Sequence, residues 1–310
     1  MVESSVTVVI VNYNAGEMLV RCIEQILAGT IQPQIIISDN ASTDCSLELV
    51  EQRYSKCTHL LIHKNHKNSG FSAANNAVFD KIKTPFILYL NPDCFIEKDT
   101  IQHLLDTMNQ YPSAGLVGCL VTNMNGSEQV GCRGLTPTPA RVLNQMLRLY
   151  KLFPNNPKFK GYLLSDEKIP EHPIQVELIS GSCMFVRKEA LSVVGLLDDN
   201  YFLYCEDYDW FYRFIQSKWD IIFTPATKVA HIKSFSTRQI PLRILVYKAQ
   251  GMWRYYDKFF KKNESIGTCA IVRIGIILRL VILSALVLLK KIISNIKVIK
   301  KYFKTQTRGC

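Results

Sequence analysis

Three short runs, "VTVVIVNYN" (6–14), "QIIISDN" (34–40) and "FILYLNPD" (86–93), share one design: an unbroken apolar stretch ending on amide or carboxylate side chains. A strand apolar on both faces must be covered on both, which is the situation of a parallel sheet between helices. The intervening pattern agrees. It predicts a helix from Glu17 to Ala28 closed by Gly29, and one begun at Asp44 and running to about Tyr54. A strand follows at 58–63, then helices at 71–82 and 98–109 and a strand at 115–121. Alternation of this kind specifies an α/β fold with a mostly parallel sheet. Ligands of such sheets gather outside the carboxyl ends of the strands. The polar clusters "NYN" (12–14), "SDNASTD" (38–44), "KNHKNSG" (64–70) and "NPD" (91–93) fall there.

Beyond residue 121 the pattern loosens. Residues 122–175 carry Pro137, Pro139, Pro154, Pro157, Pro170 and Pro173 with little periodicity, and are expected to be irregular. Order resumes at "VELISGSCMFVRKEAL" (176–191), read as strand, Gly-Ser turn, strand and helix start. "YCEDYDWFYRFIQSKWD" (204–220) reads as an amphipathic helix opening on acids, and "IIFTP" (221–225) as a closing strand.

The net charge of +11 sits at one end of the 310 residues. Residues 241–310 hold 15 Lys and Arg against only Asp257 and Glu264, whereas the first 240 residues are near neutral. A near-neutral body with a basic tail points to a localised anionic partner and not to a nucleic-acid-binding surface. The ten cysteines show no C-x-x-C spacing, which argues against a zinc ribbon or dithiol redox motif. The opening "MVESSVTVVIVNYN" lacks the basic start of a secretory signal, so a reducing cytoplasmic setting is expected.

Asp39 and Asp93 end two different strands and, in a parallel sheet, would face one crevice. Singly, each is most often a turn former. Together they suit a hard divalent cation, which binds through carboxylates and substrate phosphates. Neither a G-x-G-x-x-G nor a Walker lysine loop follows the first strand, which disfavours a Rossmann dehydrogenase and a phosphate-loop enzyme. Asn91-x-Asp93 is therefore the candidate metal and diphosphate anchor. Glu206, Asp207 and Asp209 stand in the first turn of a predicted helix, where capping is one role. The aromatic approach "LLDDNYFLYC" offers another, because a partly desolvated carboxylate is a general base. His231 follows the closing strand; a lone histidine is commonly structural, yet it could complete a metal site.

These pieces resemble the inverting glycosyltransferases of family 2, with the GT-A fold, and among them the bacterial rhamnosyltransferase-like branch. "VTVVIVNYNAGEMLVRCIEQIL", "IIISDNASTD", "NSGFSAANNAV", "FILYLNPDCFIE", "LISGSCMFVRKEAL", "FLYCEDYDWFYR" and "VAHIKSFST" occur in the family's order and cover about residues 5–238. The resemblance implies a catalytic domain over 1–240, with a nucleotide-sugar half to about 121 and an acceptor-side half to 240. It implies nucleotide-sugar contacts from Tyr13, Asn14, Asp39, Asn40, Gly70, Asn75, Asn91 and Asp93. It implies Mg²⁺ or Mn²⁺ on Asp93 with Asn91 and His231, the catalytic base at Asp207, and acceptor contacts at Gly181, Ser182, Glu206 and Trp210. Asn91 stands where many relatives have a second acid. The implied reaction is a single displacement on a nucleoside-diphosphate sugar, with a glycan or lipid-linked glycan of the bacterial surface as acceptor. Thymidine diphosphate rhamnose as donor follows from the branch resemblance alone. The alternatives are a sugar nucleotidyltransferase, although the first loop lacks its Gly-rich sequence, and a non-catalytic scaffold.

The tail is the second feature. Residues 270–289 are apolar apart from Arg273 and Arg279, and the longest uncharged stretch, Leu280 to Leu289, is short for a bilayer. With the lysines that follow, it reads as an interfacial helix on an anionic cytoplasmic leaflet. Packing on the catalytic domain or in a homo-oligomer is the alternative, and a true membrane span ranks last.

Overall fold

The computed structural model describes residues 5–232 and 241–306, with side chains to residue 293. The chain divides into two compact units, Met1–Ser236 and Thr237–Cys310.

In the first unit, β1 (Val6–Asn12), α1 (Glu17–Leu27), β2 (Gln34–Asp39), α2 (Ser46–Tyr54), β3 (Leu60–Lys64), α3 (Phe71–Asn76) and β4 (Phe86–Leu90) follow the predicted alternation. Next come β5 (Cys94–Ile96), α4 (Thr100–Gln110), β6 (Ala114–Thr122), β7 (Arg133–Gly134), α5 (Pro139–Met146) and α6 (Leu149–Leu152). The unit ends with β8 (Ile174–Val176), β9 (Leu178–Ile179), β10 (Cys183–Arg187), α7 (Leu191–Val194), α8 (Glu206–Gln216) and β11 (Asp220–His231). The main sheet runs β3-β2-β1-β4-β10-β6-β11-β5, with β8 beside β11. Strands β1, β2, β3, β4, β6 and β11 point one way, and β10, β5 and β8 the other. Helix α1 shows how the sheet is covered: Leu19, Cys22, Ile23 and Ile26 recur at helical spacing and are all buried.

Four local expectations change. The helix predicted for 71–82 stops at Asn76, where the amide of Asn76 turns to Leu197 O and a single tight turn, Phe79–Lys81, follows. The prolines of 122–175 do not all break structure. Thr138 accepts the amide of Arg141 and Pro139 opens α5, because the first helical position needs no N–H. That region is tied down by Arg133, 1% exposed, which pairs with Glu128 at 3.0 Å and donates to Glu167 O. Pro225 does not end β11. The pairing with β6 slips between Thr224 and Lys228, a bulge that expels the proline and lets the strand continue to His231. Finally, β10 enters between β4 and β6, so one continuous sheet underlies both expected halves of the domain.

The second unit contains α9 (Pro241–Phe259) and α10 (Ile266–Gln306). Arg273 of α10 meets Asp257 of α9 at 3.1 Å and lies over the Trp253 ring, 5.1 Å from its centre. Within α10, Ile266–Ile293 is long and apolar enough to cross a membrane, and none of its most apolar stretch is buried.

Candidate active site

The strand directions bring the polar ends together. The carboxyl ends of β1, β2, β3, β4 and β11 meet the amino ends of β10 and β5 at one edge, so Asn12, Asp39, Lys64, Asn91, His231, Ser182 and Asp93 share it. Backbone bonds fasten these ends: Asn40 N to Asn12 O at 2.8 Å, Asn65 N to Asp39 O at 2.9 Å, and Asn91 N to Ser182 O at 2.9 Å.

On the β1–β2 side the polar residues mostly build the wall. Asp39 is 2% exposed; its Oδ1 accepts from Asn12 Nδ2 and Ser42 Oγ and its Oδ2 from Ser42 N. Of the roughly four acceptor positions on a carboxylate, about one is left over. Asn14 takes a left-handed backbone, φ 52°, and its Oδ1 receives the amide of Thr43. Asn40, also buried, donates to Gly70 O and Asn68 Oδ1 and so holds the 68–70 loop. Asn75 is buried and donates within α3 to Phe71 O. Gly70, φ 90°, lies so close to Phe202 that a Cβ would stand 2.2 Å from Phe202 O. Of this set, Tyr13 is the one with an open side chain, 38% exposed. Asn14, Asn40 and Gly70 thus hold loop shape, and Asn75 bonds within α3.

At the middle of the edge, Asp93 and His231 face each other with Oδ1 and Nε2 3.3 Å apart, both side chains 11% exposed. The thiol of Cys94 joins them, all three ligand atoms lying within 4.8 Å of one another. Asp93 is held by its own backbone, its carbonyl accepting from Ile232 N, and Asn91 by its bonds to Ser182 O and Cys94 N. A carboxylate and an imidazole at this spacing, beside an amide residue, fit a divalent cation. The histidine arrives only through the β11 bulge. Behind it stands Gln129, 5% exposed, whose Oε1 lies 2.8 Å from His231 Nδ1. Sequence reasoning missed Gln129, which lies in a loop read as irregular. The "SFST" part of the histidine motif lies outside the described residues.

On the other flank is the start of α8. Tyr204 and Cys205 both have left-handed backbones, φ 72° and 68°, unusual for residues with side chains. Such strain concentrates at functional sites. It delivers Glu206 and Asp207 at the first turn. Asp207 Oδ1 accepts the amide of Tyr208, and burial pushes its carboxyl up to about 6. Burial and the neighbouring Asp207 push Glu206 up as well, and among the described residues buried Glu206 Oε2 has no hydrogen-bond partner. Gly181 explains the turn opposite: a Cβ there would stand 2.7 Å from Asp207 Oδ2. Ser182, 4% exposed, contributes its carbonyl to Asn91 N and its hydroxyl to Ser180. Two residues of the predicted cluster, Asp209 and Trp210, turn inward. Asp209 is fully buried and pairs with Arg213 at 2.7 Å, a structural bond within α8. Trp210 is fully buried against Tyr89 and Phe214, with Nε1 donating to Gly195 O, which removes it from the acceptor contacts.

A sheet whose switch to antiparallel strands opens a crevice edged with carboxylates, and no glycine cradle, is the architecture of GT-A glycosyltransferases. The model of "Glycosyl transferase family 2" matches residues 7–194, more than half of the chain, and the chain belongs to that family. It is a glycosyltransferase, which sets the nucleotidyltransferase and scaffold readings aside. Over 247 residues it is 29% identical to N-acetylglucosaminyl-diphospho-decaprenol L-rhamnosyltransferase of Mycobacterium tuberculosis, covering 76% of this chain and 78% of that one. It is 21% identical to Rhamnosyltransferase WbbL of Escherichia coli, covering 81% and 92%. Among solved structures, GalNAc-T7 with UDP, GalNAc and Mn²⁺ has the same fold at a TM-score of 0.60 and 16% identity, over 84% of this chain and 49% of that one.

Proposed function

We propose that this enzyme transfers a sugar, with rhamnose as the first candidate, from a nucleoside diphosphate to a hydroxyl of a lipid-linked glycan, with inversion at the anomeric carbon. The rhamnosyltransferase relatives support the sugar, and the mycobacterial relative, named for a diphospho-decaprenol substrate, supports the acceptor class. The observation that carries the chemistry is the pairing of Gly181 with Asp207: a residue without a side chain makes room for a carboxylate whose Oδ2 lies against it.

Because Oδ1 is occupied by the Tyr208 amide, Oδ2 of Asp207 takes the proton of the attacking hydroxyl. A carboxyl raised to about 6 is ionised at neutral pH yet more basic than an ordinary aspartate, which suits a general base. Glu206, whose carboxyl burial and Asp207 push up, lies beside the base as the candidate acceptor contact. Tyr13 and Asp39 border the place of the nucleotide base. Asp93 and His231, with Asn91, would hold Mg²⁺ or Mn²⁺, which when bound supplies charge stabilisation to the departing diphosphate. The reaction would take place on the cytoplasmic side of the cell membrane, with the basic tail facing its anionic surface.

A donor screen with Mn²⁺ or Mg²⁺ tests the reading. Asp207→Asn is expected to bind donor nucleotide normally and lose about 10²–10⁴-fold in turnover, whereas Asp93→Ala loses metal-dependent donor binding. Full turnover by either variant would sink the mechanism.

A further inference from the structure

The geometry points to Gln129 as the residue that sets the tautomer of His231 and thereby turns the Asp93–His231 pair into a cation site. This rests on the reading of that pair as the metal site.

The amide of Gln129 has one orientation. Its Nε2 lies 3.2 Å from Asn123 Oδ1 and 3.3 Å from the backbone O of His231, both acceptors, so Nε2 is the donor. Asn123 is oriented in turn, since its Nδ2 lies 3.0 Å from Ser127 Oγ and 3.5 Å from the carbonyls of Ser127 and Glu128. The backbone of Gln129 is pinned to the sheet by its N–H to Val121 O at 2.8 Å. Gln129 Oε1 is therefore an acceptor directed at His231 Nδ1 from 2.8 Å, and Nδ1 must carry the proton.

In the neutral ring this leaves Nε2 with a bare lone pair, 3.3 Å from Asp93 Oδ1. Two acceptors then converge on one point in a nearly dry place, an arrangement that is repulsive until a cation stands between them. With the opposite tautomer, Nε2–H would simply donate to Asp93, and the pair would close on itself with no call for a metal. Gln129 opposes that closed state in the neutral ring. It touches neither substrate nor the cation, so it is a positioning residue. Partners of this kind are worth about 10–100-fold in metal affinity.

The test reads the tautomer and the affinity separately. Long-range ¹H–¹⁵N spectra of the metal-free protein, with the His231 signal assigned by His231→Gln, are expected to show the Nδ1–H form in the wild type. Gln129→Leu should release the ring to a mixed or Nε2–H form and weaken Mn²⁺ binding, titrated with the metal alone, by about 10–100-fold. Gln129→Glu keeps an acceptor at Nδ1 and should retain both the tautomer and most of the affinity, which separates orientation from a general loss of packing. An Nε2–H ring in the wild type overturns the inference, as does a Leu variant that keeps both tautomer and affinity. Should Gln129→Leu fail to fold, an Nε2–H ring in Gln129→Glu overturns it equally. A wild type that binds no Mn²⁺ defeats the metal reading alone, because the spectra still decide whether Gln129 sets the ring.

Discussion

At the scale of single residues, the site depends on one side chain placed in tension with its surroundings and on one that is missing. Asp207 is a carboxylate in a poorly hydrated position, raised to about 6. The base is active only when ionised, so kcat/KM should be flat above this value and fall about tenfold per pH unit below it. A pH–rate profile from 5 to 8 checks this, and a flat profile down to pH 5 excludes Asp207 as the base. Gly181 is the missing side chain. Gly181→Ala would place a methyl group 2.7 Å from Asp207 Oδ2 and push the carboxylate aside. A misplacement of that size costs about 10²-fold in rate, while the melting temperature and donor binding should hardly move. Asp39 and Asp93 stand out in the sequence because each follows an apolar strand, while Asp207 stands out only through the family resemblance of its motif. The distinction between Asp207 and Asp209 was not legible there, since two residues apart on α8 means opposite faces, one toward Gly181 and one into the core beside Arg213.

At the scale of elements, periodicity identified the strands and helices whose burial it encodes, and missed those set by partners distant in sequence. β1, β2 and β4 read correctly because both of their faces are covered. β5 is only three residues long and exists because β11 lies beside it. β11 itself runs through a proline, which is tolerated only because the partner strand lets the register slip. Helix α5 was hidden by the prolines around it, although Thr138-Pro139 is a start signal. The loop before α3 gives a direct test. Gly70→Ala would set a Cβ 2.2 Å from Phe202 O at a backbone angle of 90°, so the 68–70 loop and the approach to α8 cannot both keep their places. The expected loss is about 2–4 kcal/mol in urea unfolding, with Phe202 and the residues up to Glu206 losing amide protection. An unchanged midpoint would show that the close approach is not needed.

At the scale of the whole molecule, the two units ask for different surroundings. The first has its own core and site. The second contains α10, whose Ile271, Ile274, Leu278, Val281, Ile282 and Leu289 are exposed along one face of the helix. An exposed apolar face of this length suits a helix lying in the leaflet as well as one embedded in it, and the two readings differ in how firmly the tail should hold. Arg273, which counted against a span, is matched by Asp257 and stacked on Trp253. At about 1.5 Å per residue, Ile266–Ile293 exceeds the roughly 30 Å of a hydrocarbon core. Full-length protein should float with anionic liposomes and stay bound after alkaline carbonate, and a chain ending before residue 265 should do neither. Release by carbonate would favour the surface-bound reading.

Local patterns in the chain determined the α/β class, the direction of most strands and the edge on which the polar strand ends gather. They could do so because burial on two faces leaves a signature within a few residues. What only the tertiary structure decided is which polar groups meet. The insertion of β10, the bulge at Pro225 and the left-handed pair at Tyr204–Cys205 bring Asp93 to His231, His231 to Gln129 and Asp207 to Gly181. Those contacts join residues up to 138 positions apart, between Asp93 and His231, and no local pattern carries the register that makes them.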